Sequence, residues 1–94
     1  MNQLQDLLAQ LVAIDSRNPA LAHDGPGEAA IAEVVAMFLR TGGLAVELVE
    51  PRPGRPSVIG RLPGAGGGRV LLLNAHMDTV GFGAMESPLV PRVE

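Results

Sequence analysis

A chain of 94 residues supports one small domain, and 47% apolar against 18% charged residues is more apolar surface than a body of that size readily hides by itself. The net charge of −3, with two Phe and neither Trp nor Tyr, leaves no basic stripe and no stacking platform, which argues against nucleic-acid binding. With no cysteine, disulfides, thiolate zinc sites and cysteine nucleophiles are excluded, and a reducing cytoplasm is the expected compartment.

All seven basic residues are Arg, so a P-loop lysine and a Schiff-base lysine are also excluded within the chain. Residues 1–6 lack the positive region that opens a signal peptide, and the apolar runs fall far short of the ~20 residues that span a membrane.

In chain order, Leu4, Leu7, Leu8, Leu11 and Val12 recur at helical spacing and predict a helix over residues 3–14 with one buried stripe. Asn2 and Gln5 stand at the spacing of a capping pair, and Asp6 suits the positive N-terminal end. Asn18 before Pro19 is pushed out of the α region, so a loop follows as far as Pro26-Gly27. Ile31, Val34, Val35, Phe38 and Leu39 predict a second helix over 27–41, with Glu28 in its first turn, Arg40 in its last and Gly42-Gly43 beyond. Met37 and Phe38 are expected in or near the core of that helix.

Beyond the glycines the period falls to two. Leu44, Val46 and Leu48 predict a half-exposed strand over 44–50. The proline-rich segment 51–56 reads as a turn, and a second strand over 57–62, bracketed by prolines and carrying Gly60, reads as a sheet edge paired antiparallel with the first. Residues 63–68 form a glycine-rich connection. The run Val70-Leu71-Leu72-Leu73 is apolar at consecutive positions, as in a strand covered on both faces, and predicts a central third strand over 70–75. The fold class is therefore expected to be α/β: two N-terminal helices packed on a mixed sheet of three strands, incomplete as it stands.

Ligands of open α/β sheets bind beyond the carboxyl ends of the strands. At that end of the apolar run stand His76 and Asp78. Neutral imidazole is a good metal ligand, and an Asp two residues on reaches the same side of an extended chain. Its carboxylate can then accept the other ring N–H and fix the tautomer. The alternative reading of the same spacing is a structural His–Asp hydrogen bond with no metal. His23 beside Asp24 reads as a solvated loop histidine, Glu86 as a surface carboxylate, and residues 64–68 as a flexible turn without the ending of a phosphate loop. Asp15 and Ser16 have no histidine beside them in sequence to form a nucleophile pair.

The segment Asn74-Ala75-His76-Met77-Asp78-Thr79-Val80 resembles the His-x-Asp-x-Val motif of the zinc-dependent aminoacylase and carboxypeptidase family, which includes acetylornithine deacetylase, succinyl-diaminopimelate desuccinylase and glutamate carboxypeptidase. Residues 11–19, with Ser16-Arg17-Asn18-Pro19, are similar to the family's opening helix and Ser-x-Asn-Pro turn, and Gly27-Glu28 fits the entry to its second helix.

The resemblance implies that His76 binds one of two zinc ions, with cobalt or manganese as alternatives, and that Asp78 is the catalytic-site residue that orients it. It implies that residues 1–94 are the N-terminal portion of a catalytic, metal-binding domain, the remainder of which, with a separate dimerisation domain, lies outside this chain. The expected parent is a cytoplasmic, homodimeric amidohydrolase or metallopeptidase that cleaves the amide bond of an N-acyl amino acid or small peptide. No nucleic-acid or membrane partner is expected. The 94 residues alone are expected to be inactive, and the competing expectation is a truncated, non-catalytic α/β module with a structural or interaction role.

Overall fold

A computed structural model describes residues 2–94. Four elements follow in order: α1 (Gln3–Val12), α2 (Ala29–Thr41), β1 (Ala45–Arg52) and β2 (Arg55–Arg61). Among the described residues no helix is long and apolar enough to cross a membrane.

The capping pair that opens α1 forms as its sequence predicts. The Asn2 side chain accepts from the Gln5 N–H at 2.8 Å and the Gln5 side chain accepts from the Asn2 N–H at 3.1 Å, which satisfies two of the helix's orphan donors. The helix stops at Val12, two residues short of the expected end. Its apolar stripe is not buried: Leu4, Leu8 and Val12 are exposed, and α1 holds no buried residue. Only α2 packs substantially on the sheet, which corrects the expectation that both helices do.

Helix α2 makes close approach possible through small side chains. Ala32 and Ala36 are 1% and 0% exposed, and with Ile31 they supply most of the buried apolar residues. Met37 and Phe38, expected near the core, are exposed, because α2 is covered on the side that meets the hairpin while its far side has no neighbour. The helix ends as its glycines predict. Gly43, at φ +92°, turns left-handed and lets the Leu44 N–H reach back to the Leu39 carbonyl at 3.0 Å.

Strands β1 and β2 form the expected antiparallel hairpin, in register from Ala45↔Arg61 to Val49↔Ser57. An irregularity follows between Val49 and Arg52, where Pro51 has no N–H to offer, and Arg52↔Arg55 closes the ladder across Pro53-Gly54. Gly60, expected as an edge feature, has a packing role as well. A Cβ there would stand 3.1 Å from a Leu39 methyl and 3.0 Å from one of Leu44, so glycine is what lets α2 settle on the sheet.

The third strand is not formed. Residues 70–75 belong to no strand, and Val70, Leu71, Leu72 and Leu73 are 95%, 82%, 81% and 85% exposed. A central strand needs a ladder neighbour on each side and a covering layer on each face. The hairpin and α2 satisfy one another and leave this run with neither. The sheet is therefore two-stranded and antiparallel, not mixed, and the one parallel pairing among the described residues is an isolated bridge between Arg17 and Thr79.

Two outcomes follow. Four consecutive exposed apolar side chains on backbone with no ladder partner are a template for association. The 94-residue chain is expected to bind an exposed-hydrophobe dye and to self-associate as concentration rises, and Leu72→Lys to reduce both. A monomer at high concentration that binds no dye would show this run to be covered. The second outcome concerns Glu28, whose side chain is 8% exposed and takes three hydrogen bonds from Arg55 at 2.7–3.0 Å. Arg55→Met strands that carboxylate, and urea unfolding should report a loss on the order of 2 kcal/mol.

Candidate functional site

The site is assembled by a joint between two loops far apart in sequence. The Thr79 N–H donates to the Ser16 carbonyl at 3.0 Å and the Asn18 N–H donates to the Thr79 carbonyl at 2.8 Å. This pair of bonds is the parallel bridge, and it lays residues 76–79 along the Ser16-Arg17-Asn18 turn. The turn is itself stiff. Asn18 accepts through its side chain from Ala20 N–H at 2.8 Å, and its carbonyl accepts from Leu21 and Ala22 at 3.0 and 2.8 Å. Gly25 is required by the same packing, since a Cβ there would lie 2.6 Å from the Arg17 carbonyl oxygen.

On this joint the structure brings His76 and Asp78 together. His76 Nδ1 lies 2.9 Å from the Asp78 carbonyl oxygen and 3.1 Å from its Oδ1. The other carboxylate oxygen, Oδ2, accepts from the Asn18 side-chain amide at 2.8 Å. Asp78 is thus held between a donor from each loop. The Asn18 hydrogen bond, with a smaller part from His76, holds its carboxyl below the ordinary range. The His76 side chain is 85% exposed, and its hydrogen bonds among the described residues go through Nδ1 and not Nε2.

That donor set fits one corner of a metal site. A ring nitrogen whose partner nitrogen is tied to a carboxylate is presented in the Nε2-ligating tautomer, and Asp78, with both oxygens engaged, serves as its anchor. No group of three or more His, Asp or Glu suited to a metal ion occurs among the described residues, so further ligands would have to join His76.

Asn18 has a part beyond the turn that its sequence predicts. Its Asn-Pro context marked a turn, but its side-chain partner lies 60 positions away. Glu28 and Arg55 were likewise not paired in advance. Asp15 grips Arg17 through two side-chain bonds of 2.9 Å, and the Arg17 guanidinium lies over the Phe82 ring at 4.2 Å, tying the first loop to the segment beyond His76. The Arg17 guanidinium keeps the Asp15 carboxyl below its ordinary value. Ser16 is buried, and neither it nor Asp15 has a histidine bonded to it. His23 is fully in solvent at the loop surface, 3.7 Å from Asp24, and Glu86 is exposed.

Residues 72–78 run beside the hairpin end and enclose with it an open groove of about 620 Å³. Its lining includes Glu28, Arg52, Arg55, Asn74, His76 and Asp78. This volume falls in the range of roughly 300–1,000 Å³ that small-molecule sites occupy. Asp78 adds a weaker attraction on Arg55, after the dominant hydrogen bonding from Glu28, so charge is shared along the groove.

Over 70 residues, 74% of the chain, the sequence is 34% identical to the acetylornithine deacetylase of Vibrio atlanticus (strain LGP32). The match takes in 17% of that protein, so the chain spans less than a fifth of the length of the curated relative it matches. No family model and no solved structure matches the chain. The likeness points in the same direction as the motifs, towards the aminoacylase and peptidase family and a hydrolase-like function.

Acid should loosen the joint. A carboxyl held below its unfolded value contributes stability that is complete above that value and is lost as pH falls through the lower folded one. For Asp15 and Asp78 the reference is 3.8, so chemical-denaturation midpoints are expected to hold above about that pH and to drop below it. Asn18→Asp replaces the donor at Asp78 with a second carboxylate. The Asp78 titration, followed by its side-chain carboxyl carbon shift, is expected to move up. An unmoved titration would mean that the Asn18 bond is not what depresses it.

Proposed function

We propose that this chain is the N-terminal portion of the catalytic domain of a metal-dependent amidohydrolase, and that His76 is one of its metal ligands. The observation that carries the reading is the anchored imidazole, with Nδ1 tied to Asp78, Nε2 free, and Asp78 held in turn by Asn18. The likeness to an acetylornithine deacetylase supports an N-acyl amino acid as the substrate class, with small peptides as the near alternative. A zinc ion held at His76 and at ligands from outside these residues would supply Lewis-acid polarisation of the amide carbonyl.

The chain's own residues have separate duties in that site. Asp78 fixes the ring tautomer and strengthens the neutral imidazole as a ligand. Asn18 holds the Asp78 carboxylate in place and favours its ionised form. The 16–18 and 79 backbone bonds set the direction in which the ring points. The groove beside the ring offers room for a small acyl amino acid. The exposed apolar run at 70–73 supports assignment to a larger catalytic domain, and the whole protein is proposed to be a cytoplasmic homodimer.

The test is made on the native protein in its source cells. Its intact mass is expected to be several times the 9.7 kDa of these residues, and the purified protein to carry zinc and deacylate N-acetyl amino acids. His76→Ala should lower metal content and reduce kcat by a factor of at least about 1,000. Asp78→Asn should reduce it less while leaving the fold intact. The 94 residues alone should bind zinc weakly and hydrolyse nothing. A native mass near 9.7 kDa, or full activity in His76→Ala, would reject the hydrolase reading in favour of a binding module.

A further inference from the structure

Among the described residues no hydrogen bond runs directly between the hairpin and residues 72–78, although together they line the groove. Both are tied instead to one two-residue step, Gly27-Glu28. On one side the Gly27 N–H donates to the Arg17 carbonyl at 3.1 Å, and Arg17 stands between Ser16 and Asn18, which hold Thr79 and Asp78. On the other side Glu28 takes three hydrogen bonds from Arg55, the first residue of β2.

The step admits little slack. Gly27 stands at φ +83°, and a Cβ there would lie 2.9 Å from the Gly54 carbonyl oxygen and 3.4 Å from Arg55 Cδ, so the hairpin turn is seated directly on it. Glu28 is the N-cap of α2, yet its side chain caps nothing, and its buried carboxylate is given to Arg55. A buried ion pair is a poor source of net stability, since replacing both partners with apolar groups is often neutral. What a guanidinium on both oxygens of a carboxylate adds is direction. Glu28 and Arg55 line the groove with His76 and Asp78, so the direction they fix is that of a groove wall.

We propose that Glu28 is a positioning residue: through its ion pair with Arg55 it holds the hairpin wall of the groove at a set distance from His76, and so sets how a substrate is seated there. The inference rests on the hydrolase reading for the substrate and on the ties at Gly27-Glu28 for the residue. Glu28 acts through Arg55 and touches no reacting atom. His76 keeps its own anchor in Asp78 and Asn18 when the pair is broken, so metal binding and substrate seating separate.

The experiment is made on the native protein with Arg55→Met, Arg55→Lys and Glu28→Gln. Ala36→Gly, which weakens the buried side of α2 away from the groove, is the control for stability. With an N-acetyl amino acid as substrate, both Arg55 variants are expected to lower kcat/KM by about tenfold or more, towards the ~10²-fold that a 1 Å misplacement costs. Their zinc content should not change. Glu28→Gln, which keeps an acceptor for the guanidinium and loses the charge, should lose less. Ala36→Gly should lower the urea midpoint and keep kcat/KM. An unchanged kcat/KM in both Arg55 variants overturns the proposal. So does a parallel loss of zinc, which would make the pair a support of the metal corner, and so does an equal loss of kcat/KM in Ala36→Gly, which would make it a matter of stability alone.

A distance readout separates this from failure of the hydrolase reading. These 94 residues contain no cysteine, so spin labels can be placed at Arg52→Cys on the hairpin and Asn74→Cys on the segment before His76. If the wild-type protein hydrolyses nothing, the label-to-label distance distribution is compared with and without Arg55→Met. A distribution that broadens with Arg55→Met and not with Ala36→Gly upholds the positioning role although the hydrolase reading has failed. A distribution that Arg55→Met leaves as it was, or that Ala36→Gly broadens equally, overturns it.

Discussion

The arrangement depends on the joint at Asn18. Two backbone hydrogen bonds and one side-chain bond, all between 2.8 and 3.0 Å, fasten residues 16–18 to residues 78 and 79. A typical intramolecular hydrogen bond contributes about 1 kcal/mol net, so the joint is modest in energy. Its value is directional. Without it residues 70–80 would have nothing to fix their course, since the run before His76 is extended and uncovered. With it, the backbone at Thr79 is held by a single parallel bridge, Asp78 lies against the Asn18 amide, and the imidazole is hydrogen-bonded to Asp78. A chain of three polar contacts thus transmits the rigidity of the Asn18-Pro19 turn to a ring that is itself almost entirely in solvent.

Charge is distributed with similar consequence. Both acids that line the groove are engaged, Glu28 by Arg55 and Asp78 by Asn18 and His76, and Asp15 in the first loop is engaged by Arg17. The Asp15–Arg17 pair is partly exposed and contributes little by itself, in the range of about 0–1 kcal/mol expected of surface pairs. Its effect is local, holding Arg17 over Phe82 so that the turn and the segment after His76 share a second contact. Glu28–Arg55 is more deeply set. It diverts the side chain that would cap α2 to clamp the hairpin end against the helix start, and the groove takes its shape from that clamp.

Much of this was legible in the residues themselves wherever the governing contact is local. The Asn2/Gln5 pair, the glycines after Thr41 and the alternation on either side of Pro53-Gly54 each specify an element through neighbours a few positions away. The structure reproduces all of them within one to three residues. The His76–Asp78 contact belongs with these, because two residues at i and i+2 on an extended chain lie on one side whatever else surrounds them. The misreadings have one cause as well. The stripe of α1, Met37 and Phe38 of α2, and the run 70–73 were expected to be buried because they are apolar, yet burial depends on what lies opposite. Here nothing does.

By itself, then, the sequence determined the two helices, the hairpin, the lack of a thiol within these 94 residues and the pairing of an imidazole with a carboxylate two residues on. Each of these follows from bonding over short separations, where backbone geometry leaves few choices. Only the tertiary structure decided that Asn18 holds Asp78, that Arg55 rather than a helix terminus claims Glu28, and that residues 70–75 stand outside the sheet. These outcomes turn on which groups meet across 27 to 60 positions of chain, and such meetings are set by how the turns aim the elements. Side-chain type says what a group can bond to, and the path of the backbone decides which partner comes within reach.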